Sequence, residues 1–125
     1  MTSVQRRIGL DGTPVVEALV HVSPEQAGAC ADAVRAVVGV RYRVPTLEVD
    51  EILTMRELTA VGDGFDELRA ADGVSVVALS IARLGLLQDA IAESAPGPAH
   101  ALLDQLADVH AEALRTALGG QGALT

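Results

Sequence analysis

Residues 15 to 22, VVEALVHV, alternate in character. Val16, Ala18, Val20 and Val22 fall on one side of an extended chain, and Glu17, Leu19 and His21 on the other. The preceding run, SVQRRIGL, is joined to it by DGTP, an Asp-Gly turn signal between strand-like segments, so the chain is expected to open with a β-hairpin. The period then changes. Ser23, Pro24 and Gln26 spell a capping box with proline at the first helical position, predicting a helix through AGACADAVRAVV that stops at Gly39. Alternation returns in VRYRV, residues 40 to 44, with Val40, Tyr42 and Val44 on one face and Arg41 and Arg43 on the other. Pro45 ends this expected strand or marks it as an edge.

The next helix is expected to start between residues 50 and 54. Thr54 and Glu57 form a second capping box there, and Met55, Leu58, Val61, Phe65 and Leu68 share one helical face. Gly62 and Gly64 would each cost about 1 kcal/mol relative to alanine inside a helix, so GDG predicts a kink or short break. ADG at 71 to 73 closes the element. VSVVAL predicts a strand, Ser80 caps a helix over IARLGLLQDAIAES, and APGP is a loop. Pro98 opens a last helix running to about Leu118, and residues 119–125, GGQGALT, are expected to be a flexible tail. The order ββαβαβαα implies a single α+β domain over residues 1–118: three or four mostly antiparallel strands, with helices packed on one face.

The segments 20 to 34 and 77 to 91 echo one another, Val, Ser, Gly, Asp and Ala coinciding at five positions. Both read as strand, serine cap, amphipathic helix. An old duplication and two independent solutions to one capping problem explain this equally well.

Composition narrows the picture. Half of the 125 residues are hydrophobic, as in globular proteins, but Tyr42 and Phe65 are the only aromatic rings besides the histidines. No run approaches the roughly 18 apolar residues of a membrane span. MTSVQRRIGL has basic residues with no apolar run behind them, so no secretory signal is expected. A single cysteine, Cys30, excludes an internal disulfide and suits a reducing cytoplasm. The net charge is −8 and every cation is arginine. Residues 1 to 43 carry five arginines against four acids, and residues 44 to 125 carry four against thirteen. An acidic body with two aromatic rings repels phosphate backbones and offers no stacking platform, which argues against nucleic-acid binding.

Three groups of residues carry candidate chemistry. On the last helix His100, Asp104, Asp108 and Glu112 recur every four residues. Leu102, Leu106, Val109 and Ala113 gather on the opposite side, so the acids form the polar face of an amphipathic helix, and no metal site is expected there. His110 falls within the apolar face, either as a packed histidine with a hydrogen-bond partner or as a titrating group in a pocket. Glu17 and His21 would share a sheet face with Arg7, Arg41 and Arg43 if the strands are neighbours, giving either cross-strand ion pairs or a grip on a small anion. Cys30, among alanines with no basic neighbour, reads as a structural thiol.

These features favour a small cytoplasmic, non-enzymatic interaction or regulatory module. It is expected to be a homodimer, to need no cofactor, and to present Asp104, Asp108 and Glu112 to a basic partner protein. The alternative is a small acid–base enzyme or ligand-binding protein using His21 or His110 with Glu17, Arg7, Arg41 and Arg43. Small enzymes assembled from scattered residues leave no local motif, so the sequence leaves open whether the chain is an enzyme.

Overall fold

A computed structural model describes residues 4–41, 48–94 and 97–122, with side chains as far as Leu118. The chain begins with the expected hairpin. β1 (Val4–Ile8) and β2 (Pro14–Val22) are antiparallel, with Val4 opposite Ala18 and Ile8 opposite Pro14. The turn is closed by Gly9 N–H to Thr13 C=O at 2.7 Å, while the Asp11 carboxylate accepts the Thr13 amide at 3.1 Å and its hydroxyl. Gly12 has φ of 84°, a left-handed conformation that explains glycine at this point of the turn.

Beyond β2 come α1 (Pro24–Arg41), α2 (Val49–Glu67), a short 3-10 turn (Leu68–Ala70) and β3 (Ser75–Ser80). Then follow α3 (Ile81–Glu93), a second 3-10 turn (Pro98–Leu102) and α4 (Leu103–Gly122). β3 pairs antiparallel with the other side of β2, so the three-stranded sheet has the order β1-β2-β3. The protein is an α+β domain with one open antiparallel sheet and four α-helices.

All four helices lie on one side of the sheet. Ala18, Val20, Val22 and Leu79 are buried against them. α3 and α4 cover the sheet directly, α1 reaches it at β2, and α2 packs outside on α1 and α3. Leu84, Leu87 and Ile91 of α3, Leu102 at the end of the second 3-10 turn and Leu106 of α4 fill the centre, with Phe65 of α2 completing it. No polar or charged residue is buried among the described residues. The core is therefore apolar, and full burial of each large side chain contributes about 1.5–3 kcal/mol.

Both serine caps form. Ser23 Oγ accepts the Gln26 amide at 3.1 Å and Gln26 Oε1 accepts the Ser23 amide at 3.0 Å, a reciprocal capping box. Ser80 Oγ accepts the Arg83 amide at 3.2 Å. Val20 and Val77, equivalent positions in the internal echo, are also direct cross-strand partners. The two strand–cap–helix units thus run in opposite directions about that pair.

Five local expectations are corrected. Val40 and Arg41 belong to the end of α1 and not to a strand; Tyr42, Arg43 and Val44 lie outside the described residues. Gly39 does not stop the helix because it lacks the positive φ of a helix-ending turn, while Val37 and Val38 pack on the core just before it. α2 begins at Val49 with acidic residues Asp50 and Glu51 in its first turn, where they complement the helix dipole. Thr54 is consequently interior, and Glu57 bonds Arg83 and caps nothing. α2 also runs unbroken through Gly62 and Gly64. Finally, the backbone of α4 remains helical to Gly122, past Leu118.

Candidate functional site

The sheet has a second face that none of the described helices covers. Gln5 and Arg7 of β1, Glu17, Leu19 and His21 of β2, and Val76 and Ala78 of β3 project there by strand alternation from the buried set. Arg7 Nε donates to Glu17 Oε1 at 2.8 Å and Gln5 Nε2 donates to the same oxygen at 3.2 Å. This is the cross-strand pairing expected of Arg7 and Glu17. His21 lies toward the other end of β2, opposite Val76. Arg41 is not on this face; its guanidinium reaches Glu93 at the end of α3, 3.3 Å away. Arg7 and Arg41 thus hold different carboxylates at different places, and Arg43 lies outside the described residues.

His110 sits half-buried between α4 and α3, its Nδ1 hydrogen-bonded to Gln88 Oε1. A Cβ at Gly85 would approach its ring to 3.9 Å, so the small residue in α3 leaves ordinary contact distance for the imidazole. His100 Nε2 lies 3.2 Å from the Ser94 carbonyl, tying the second 3-10 turn to the end of α3. Four surface clefts are lined chiefly by α1, the start of α2 and the 94–99 region, and neither His21 nor His110 lines any of these four. No group of three potential metal ligands occurs among the described residues.

Several arginines are engaged on the helical layer. Arg35 bridges Asp63 and Asp66, Arg69 bridges Asp66 and Asp32, and Arg83 holds Glu57. The Arg35 and Arg69 guanidiniums hold the Asp66 carboxyl below its ordinary pKa by donating to it. Arg6 Nη2 donates to the Thr116 carbonyl of α4 at 2.8 Å.

Other acids, among them Asp50, Glu51, Glu67, Asp72 and Asp89, also have no ion pair among the described residues, but those of α4 recur on successive turns of one helix. Asp104 and Asp108 are exposed and Glu112 is half-exposed. Among the described residues no cation lies within ion-pair distance of any of the three; Arg115, three residues past Glu112, makes no ion pair with it. At four-residue spacing their Cα atoms are about 6 Å apart along the axis, a ladder of about 12 Å in all. Leu106, Val109 and Ala113 are buried on the other side of the same helix, with Leu102 buried just before it, which fixes the ladder outward.

One residue with a clear positioning role carried no signal in the sequence. Gln105, beside Asp104, turns its amide to the backbone of β2. Oε1 accepts the His21 amide at 2.9 Å and Nε2 donates to the His21 carbonyl at 3.2 Å. It occupies the edge of β2 beyond the end of β1 and anchors the acidic helix to the sheet. Only the tertiary placement of α4 reveals it.

The class defined by this fold is a small α+β domain, and no helix among its described residues is long and apolar enough to cross a membrane. The chain matches no protein-family model, no curated protein and no solved structure.

Proposed function

We propose that the protein is a cytoplasmic, non-enzymatic interaction module that acts as a homodimer and binds a basic segment of a partner protein through the Asp104, Asp108 and Glu112 side of α4. One observation carries the reading: three carboxylates on successive turns of a well-anchored helix with, among the described residues, no cation to hold them, while Arg7, Arg35, Arg41, Arg69 and Arg83 hold other acids. Each like-charge pair at four-residue spacing costs a helix about 0.2–0.5 kcal/mol. Asp104 is offset by the positive end of the helix dipole, since it lies in the first turn. Asp108 and Glu112 lack that compensation.

A partner helix or extended segment with arginines at matching spacing relieves the repulsion and forms charge-assisted hydrogen bonds. Its association would be fast and strongly salt-dependent, as for other charge-steered encounters. The cytoplasmic setting rests on the single cysteine, which is buried and suits a reducing compartment.

The test uses a synthetic helical peptide with arginines at three positions four residues apart, titrated calorimetrically. Asp104→Asn/Asp108→Asn/Glu112→Gln should weaken binding by roughly tenfold, the sum of three exposed pairs at about 0.5 kcal/mol each. Asp50→Asn/Glu51→Gln/Glu67→Gln removes the same formal charge elsewhere and should have little effect. Equal losses from both variants would reduce the attraction to net charge and refute the proposal.

A further inference from the structure

β1 and the exposed end of β2 carry devices that discourage another strand from pairing with them. β1 bears Arg6 and Arg7, charges of the kind that protect sheet edges. The stretch of β2 beyond β1 has its His21 amide and carbonyl occupied by the Gln105 side chain. β3 has neither device. Among the described residues it is the terminal strand of the sheet, and only β2 and α3 make substantial contact with it. Residues 73 to 82, GVSVVALSIA, contain no charge and no proline. Val74 and Val76 are 69% and 55% exposed. Alternate residues of any edge strand present unpaired N–H and C=O groups outward, so this edge is a template for one more strand.

We infer that the occupant is β3 of a second copy, paired antiparallel about a two-fold axis to give a continuous six-stranded sheet. This rests on the homodimer reading above and locates its interface. Charge selects the partner. Each chain carries −8, and the helical layer is studded with acids, so two copies repel across most of their surfaces. The neutral β3 edge lets them approach without setting like charges opposite one another. A two-fold axis normal to the sheet keeps both sets of helices on one side, and it extends the Leu19–Ala78 and His21–Val76 pairs of the open face across the seam. Because the charged β1 edge opposes further addition, pairing stops at two copies and does not continue into a fibre.

The experiment is sedimentation velocity on the wild-type chain and on Val76→Lys/Ala78→Lys, whose substituted positions are solvent-exposed and should leave the fold intact by circular dichroism. The expected result is a wild-type dimer and a folded monomeric variant. Hydrogen exchange should show the amides of residues 75 to 79 more protected in the wild type than in the variant. A wild-type chain that is monomeric across the micromolar range overturns the homodimer reading together with this interface. A wild-type dimer that the two lysines leave dimeric, with unchanged exchange in β3, leaves the homodimer standing and overturns the β3 interface alone.

Discussion

Gly62 and Gly64 lie in the same helix, two residues apart, and alanine should have opposite consequences at the two. A Cβ built on Gly64 meets nothing within 4 Å. There the gain in helix propensity stands alone, and Gly64→Ala should stabilise the protein by about 0.5–1 kcal/mol. A Cβ on Gly62 would lie 2.8 Å from Val34 Cγ1 and 3.3 Å from Val34 Cβ. Val34 is fully buried in α1 and β-branched, so its side chain has no free rotamer into which to retreat. Overpacking of this kind costs about 1–3 kcal/mol, which cancels or exceeds the propensity gain. Gly62→Ala should therefore end about 1–3 kcal/mol less stable than Gly64→Ala. Urea denaturation followed by circular dichroism measures the difference, provided the denaturant slopes agree. Equal stability of the two variants would mean that α1 and α2 do not approach closely at Gly62.

Three further outcomes are expected. Ser23→Ala removes the side chain that receives the Gln26 amide and should cost about 1 kcal/mol in the same denaturation assay; an unchanged midpoint would show the capping box to be energetically idle. Asp66, held below its ordinary pKa first by the Arg35 hydrogen bond and then by Arg69, contributes stability that is present above the ordinary carboxylate pKa and lost as the pH falls through its lower folded value. Arg35→Ala should raise the Asp66 titration seen by carboxyl-carbon NMR, and an unmoved titration would contradict the assignment. Burial pushes the Cys30 thiol up to about 12. The folded protein should thus leave Ellman's reagent unreacted at mildly alkaline pH and react fully in concentrated guanidinium, whereas prompt reaction when folded would show the helix layer to be open.

What could be read from the sequence was whatever is settled locally. The alternation of residues 15 to 22 gave the buried face of β2, because a strand with one covered side must repeat every two residues. Ser23 and Ser80 marked two helix starts through bonds that span three residues. The acids of α4 fell on the exposed side because their period matches that of its leucines. Elements decided by neighbours were misread. VRYRV alternates, yet its first two residues finish a helix whose end pairs with Glu93 more than fifty positions away. GDG resembles a break, yet Gly62 is where a helix partner comes too close for a side chain. The second capping box failed because α2 starts five residues before Thr54, with Asp50 and Glu51 in its first turn. Of the candidate site, the acidic ladder and the Arg7–Glu17 pair were legible, but the displacement of Arg41 and the anchoring by Gln105 depend on packing between distant elements.

The outward acids of α4 are the surface proposed to meet a partner. The most direct measurement is a titration of the isotopically labelled protein with the arginine-bearing helical peptide, followed residue by residue through amide NMR shifts. Salt-sensitive shifts should concentrate at residues 104 to 115, with the first turn of α2 at Asp50 and Glu51 little affected. Shifts spread evenly over all exposed acids, or centred on α2, would contradict the proposal.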